Sequence, residues 1–218
     1  MAQTPKKATQ TAVFVVVLLV GVYVALQLIA DVTAVKIVQI GPITLPAGTF
    51  VFALTFTWRD MLHKRLGREW ARAAIVTAAA CNIGMALYFV FTIALTEADF
   101  WPGQEALAAT LGVVPRIALA SIVAEVISEL VDTEVYHALA RRFTGPHQWA
   151  RVAGSNAVSL PIDSLIFVTL AFAGALPLAA MAEVVAGQIV FKAVVTLVSL
   201  PGIYIIPEGR PLQLHEAT

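Results

Sequence analysis

From Ala73 to Leu95 the chain runs without a single charged side chain. A stretch of that length matches the ~20 apolar residues that a helix needs to cross the hydrocarbon core of a bilayer. Comparable windows recur at Ala12–Ala30, at Ala47–Trp58 after Pro46, and at Leu107–Leu130, Ala153–Phe172 and Ala182–Ile206. Inside lipid every backbone N–H and C=O must find a partner within the protein, which leaves helices as the economical solution for windows of this kind. Composition closes the soluble alternative. Of 218 residues 59% are hydrophobic and 13% are charged, against about 25% charged in a typical soluble domain. The mean hydropathy is +0.84. The expected fold class is therefore an all-α integral membrane bundle of about six transmembrane helices. One transmembrane domain, 12–207, is expected between a short N-terminal tail, 1–11, and a C-terminal tail, 208–218.

The first apolar run follows Lys6 and Lys7, as in a signal peptide. It is longer than an h-region of ~7–15 residues, and no small-residue cleavage pattern follows it, so it reads as the first span. Basic residues then orient the bundle. Lys6, Lys7, Lys64, Arg65, Arg68, Arg72, Arg141, Arg142, Arg151 and Arg210 fall on one side, and Glu97, Asp99, Glu105 and Glu183, with Lys36, on the other. By the positive-inside rule both termini are cytoplasmic, which places the chain in a cell inner (plasma) membrane with an even number of spans. The formal net charge is zero, so nothing points to nucleic acid, and the single Cys81 excludes an intrachain disulfide or a cysteine-cluster metal site.

Ionisable groups inside a bilayer cost ~2.5–3.5 kcal/mol each on insertion scales, so those present require an account. In the fourth window Ser121, Glu125, Ser128, Glu129 and Asp132 recur at three- and four-residue steps and share a face. Asn156, Ser159 and Asp163 do the same in the fifth, and Gln188, Lys192, Thr196 and Ser199 in the last. Three polar stripes converge only by facing one another around a cavity, the plan of a transporter or channel for a polar small molecule. Arg116 lies nine positions before Glu125, about half a turn out of phase at ~100° per residue, so the two do not pair within one helix. Plainer readings compete: Lys192 as a structural ion pair with Asp163 or Glu125, Arg59-Asp60 as a helix end, and the serines as packing residues. No Walker A loop, H-E-x-x-H helix or G-x-S-x-G elbow is present. No cofactor or metal is expected. Glu125 and Glu129, one turn apart, lack the histidine at i+3 that a di-metal carboxylate site uses.

Several blocks, in order, resemble the family of queuosine precursor (vitamin uptake-type) transporters. They are Asp31-Val-Thr-Ala-Val-Lys36, then Pro46-Ala-Gly48 with Leu54-Thr-Phe56 and Asp60, and Gly67 leading to Ala71-Arg72. Further on come Arg116-Ile-Ala-Leu-Ala-Ser121 with Asp132, Arg151 with Ser155, Asp163-Ser-Leu-Ile-Phe167 with Ala171-Phe172, and Lys192 with Pro201. The resemblance implies a six-helix fold similar to the substrate-binding subunits of energy-coupling factor transporters. It also implies uptake of 7-deazaguanine precursors of queuosine without a dedicated ATPase module. Departures are Asp31 where members usually have Asn, His63-Lys64 where a typical member reads Asn-Glu, Glu125 at an aromatic position and Glu129 at a Gln position.

The resulting expectation is a monomeric or homodimeric uptake protein, not an enzyme, that binds a purine-like small molecule between its fourth, fifth and sixth spans. Asp163, Asn156, Glu129, Gln188, Lys192, Arg116 and Ser159 are the candidate substrate-binding residues. Glu125, Glu129 and Asp132 are candidates for proton coupling. The rivals are a substrate-binding subunit that works with separate coupling proteins and ATPases, and a membrane-embedded enzyme acting on a hydrophobic precursor.

Overall fold

A computed structural model describes residues 5–142 and 148–205. The expected C-terminal tail, the first four residues, and the side chains of Asp60, His63, Lys64 and Arg210 lie outside the described residues. In chain order the elements are α1 (Pro5–Thr33), β1 (Ile37–Ile40), β2 (Ile43–Pro46), α2 (Gly48–Leu66), α3 (Arg68–Ala94), α4 (Gln104–Leu111), α5 (Val114–Arg142), α6 (Gln148–Phe172) and α7 (Leu178–Ile205). The bundle is helical throughout except for one antiparallel hairpin.

Among the described residues five stretches are long and apolar enough to span a membrane: Val13–Thr33, Glu69–Ala94, Gln104–Leu139, Ala150–Phe172 and Leu178–Ser199. Helix α2, the weakest of the expected windows, is not among them, because its second half carries Arg59, Asp60, His63, Lys64 and Arg65. It packs instead along α1, with α3 and α7 as further neighbours. The fourth window proves to be two helices. Gly112 and Val113 interrupt it, and Pro115 opens α5, where its missing N–H costs nothing. Arg116 therefore stands in the first turn of α5.

The sequence reading placed a helix start at Pro46 and missed the hairpin. Ile37 pairs with Pro46 and Ile40 with Ile43, so Gly41 and Pro42 form a two-residue turn. Gly41 has φ 58°, the left-handed value that the first position of such a turn favours. The hairpin lies against α7, and β2 ends in buried Leu45 and Pro46. A Cβ on Gly187 would collide with the Thr44 carbonyl oxygen, so glycine is what lets the hairpin reach α7. Gly48 is held just as closely against the Ala30 carbonyl oxygen, and this brings α2 onto α1.

The packing is arranged for lipid outside. Val76, Leu87, Leu119, Leu130, Leu165 and Val198 are exposed, whereas Ala30, Ala34, Ala74, Ala78, Ala120 and Ala124 are buried at helix contacts. Small residues let helix backbones approach closely where lipid offers no hydrophobic drive for association. Contacts group the helices into two halves, α1 with α2 and α3, and α6 with α5 and α7. The halves meet along α2–α7, α3–α5 and α1–α5, and the hairpin bridges them.

Candidate functional site

The polar residues of the interior collect along this seam. On α1 the buried face carries Gln27, Ala30, Asp31 and Ala34, spaced one turn apart or less. Ser121 on α5 donates to Asp31 Oδ1 at 2.7 Å. Asp31 Oδ2 has no partner, and neither has the Nε2 or Oε1 of Gln188 on α7. Both side chains are about as buried as a residue can be, each with 1% of its surface exposed. A buried polar atom left unpaired costs about 1–3 kcal/mol, so such atoms call for a ligand or for water.

Both residues line one cavity. Its wall is completed by Ala30, Ala34, Gly48, Thr49 and Phe52 from the first half and by Ser121, Phe167 and Lys192 from the second. Its volume is about 20 Å³, room for about one water. A ligand the size of a bicyclic base does not fit within this volume as it stands.

Below the cavity the charges are satisfied in pairs. Lys192 Nζ meets Asp163 Oδ2 at 2.5 Å with both side chains 2% exposed. Ser128 donates to Asp163 Oδ1 at 3.3 Å, and Lys192 also reaches Ser164 Oγ at 3.5 Å. The ammonium lies 5.2 Å from the centre of the Phe52 ring, in cation–π range. Glu125 is held from α1: Tyr23 donates to it at 3.0 Å and Gln27 at 3.4 Å, and Gln27 also donates to the Tyr23 hydroxyl at 3.1 Å. Arg59 on α2 pairs with Glu129 on α5 at 2.5 Å, which ties the two halves together. Ser159 donates to Asp132 at 3.0 Å.

The geometry sorts the sequence candidates. Gln188 and Lys192 line the cavity, and Asp163 stands behind Lys192. Glu129 and Ser159 are occupied by protein partners, and Asn156 is half-buried about two turns along α6 from Asp163. Arg116 is elsewhere. Its guanidinium is exposed and donates to the carbonyls of Leu170 at 2.7 Å and Ala173 at 2.6 Å, closing the C-terminal end of α6. The cavity also draws on the first half of the chain, beyond the three later spans that the sequence reading assigned to it. Asp31, Ser121, Thr49, Phe52 and Phe167 were absent from the candidate set. The available signal was an acid at the end of the first apolar run, one turn after Gln27 on the same face. Among the described residues no cluster of His, Cys, Asp and Glu is arranged to hold a metal.

A multi-pass helical bundle with a cavity lined by polar and aromatic side chains from both halves fits the architecture of a membrane transporter. Residues 46–206 match the family described as "Putative vitamin uptake transporter", and the chain belongs to that family. It is 30% identical over 176 residues to a Bacillus subtilis (strain 168) protein named "Probable queuosine precursor transporter", an alignment covering 80% of this chain and 77% of that protein. No solved structure matches the chain significantly.

Proposed function

We propose that this protein is an uptake transporter that carries a 7-deazaguanine precursor of queuosine across the inner (plasma) membrane. The observation that carries the reading is the cavity with its unpaired Asp31 and Gln188 atoms and its two aromatic walls, Phe52 and Phe167. A deazaguanine is planar and presents N–H donors next to a carbonyl. The amide of Gln188 offers both a donor and an acceptor to that edge, Lys192 offers a donor to the carbonyl, and the phenyl rings offer faces for stacking. The similarity to the Bacillus protein supports the same substrate class.

Transport follows from the seam. Substrate reaches the cavity from outside when the hairpin and α2 move relative to α7, and leaves inside when the Arg59–Glu129 pair opens. The basic residues at the helix ends flanking the α2–α3 and α5–α6 junctions, such as Lys64, Arg68, Arg141 and Arg151, support cytoplasmic termini. Glu125, Glu129 and Asp132 are the proposed proton-coupling groups, because they form a ladder of carboxylates one turn apart along α5 beneath the cavity.

Purified protein in proteoliposomes tests this. Labelled 7-deazaguanines should accumulate or exchange, and the pure lipid control should not. Failure of any deazaguanine to enter or to shift the melting temperature ends the substrate assignment. Rates indifferent to a pH gradient and intact in Glu125→Gln and Glu129→Gln would end the coupling assignment.

A further inference from the structure

The cavity is unbalanced in charge. Lys192 is the one cation among the described residues that line it, and its ammonium is already held by Asp163. Asp31 is the other ionisable group in the wall, and among the described residues its hydrogen-bond partner is the Ser121 hydroxyl. Glu125, the next carboxylate along α5, is held by Tyr23 and Gln27 and adds no positive charge. A carboxylate with one oxygen bare and no cation is costly away from water unless something positive joins it. Nothing else lining the cavity provides that charge.

We propose that Asp31 is the specificity-determining residue of this transporter and that it selects a substrate bearing a cationic substituent, such as an aminomethyl arm. The inference rests on the deazaguanine reading and adds to it which member of that class is preferred. Asp31 Oδ2 takes the ammonium, Gln188 on the opposite wall reads the ring edge, and Phe52 and Phe167 flank the ring. The division of labour follows from the side chains. An amide can both donate and accept, so it suits an edge with both kinds of group, whereas a carboxylate only accepts and is charged. The Ser121 hydroxyl holds the carboxylate of this cavity-lining residue in place and leaves its second oxygen without a partner.

Equilibrium binding to the purified, full-length protein with two probes decides the matter: 7-aminomethyl-7-deazaguanine, a cation at neutral pH, and neutral 7-cyano-7-deazaguanine. The cation should bind at least about tenfold more tightly, as expected when a charge-assisted bond is gained. Asp31→Asn keeps the shape and an acceptor for Ser121 but removes the charge. It should weaken the cationic probe to within about twofold of the neutral one, a loss well beyond any that the neutral probe suffers. Equal binding of the two probes to the wild-type protein overturns the proposal and leaves the deazaguanine reading standing. So does an equal loss of both in Asp31→Asn, which would make Asp31 a reader of the ring edge. Binding of neither probe overturns both. The wild-type comparison stands whether or not the variant folds, and retained binding of the neutral probe reports that it has.

Discussion

Lys192 on α7 and Asp163 on α6 meet at 2.5 Å, each 2% exposed, and Ser128 on α5 closes the pair from a third helix. The contact binds the second half of the bundle into one unit and leaves one face of the lysine toward the cavity. Removing either partner strands a charge in the interior. Lys192→Met or Asp163→Asn alone should destabilise the protein by about 3–5 kcal/mol. The double variant should recover much of that loss. Thermal unfolding in detergent checks it, and additive losses would show that the pair is not coupled.

Arg116 was expected to touch the substrate, and the structure gives it to the end of α6. Arg116→Ala should lower stability by about 1 kcal/mol through the lost bonds to terminal carbonyls. Ligand affinity should stay the same. A large affinity loss at unchanged stability would return Arg116 to the site.

Gly187 and Gly48 allow two backbone contacts that no other residue permits, one fixing the hairpin on α7 and the other α2 on α1. Gly187→Ala should push the hairpin off α7 at a cost of about 1–3 kcal/mol, as overpacking commonly does. Its uptake should fall further than its melting temperature implies, because the same helix α7 carries Gln188 and Lys192 into the cavity. Uptake tracking stability alone would make the contact a packing feature.

The Arg59–Glu129 pair joins the halves, and the Glu129 side chain is 37% exposed. Its worth to stability is therefore small, about 1 kcal/mol or less. Glu129→Gln should change the melting temperature little and alter the uptake rate markedly, since the pair ties α2 of one half to α5 of the other. Unchanged transport kinetics in this variant would remove it from the cycle.

Much of the architecture was legible along the chain because lipid makes simple demands. An uncharged run such as Ala73–Leu95 has one stable solution, and the basic residues around Arg65 and Arg141 suggest which end faces inward. Small-residue spacings such as Ala30 with Ala34 and Ala120 with Ala124 are too common to argue from, yet all four are buried at helix contacts. The hairpin was not legible. Its strands are four residues each, and the alternation of two faces is too short to separate from a loop. Pro115-Arg116 marks an interruption of the fourth window in the sequence, but apolar residues continue on both sides of it, so the division into two helices was not legible.

Sequence alone determined that Asp163, Gln188 and Lys192 share the interior, because a charge or an amide within a membrane span has nowhere else to go. It also offered Asp163 and Glu125 as the partners of Lys192 in the competing reading of that lysine as a structural ion pair. Only the tertiary structure decided that the partner is Asp163, that Glu129 belongs to Arg59, and that Arg116 belongs to the end of α6. Helical periodicity fixes which residues share a face, but the rotation and depth of one helix against another depend on close approaches such as Gly48 to Ala30. Those approaches set Asp31 opposite Gln188, a meeting between the first helix and the last that no spacing along either one records.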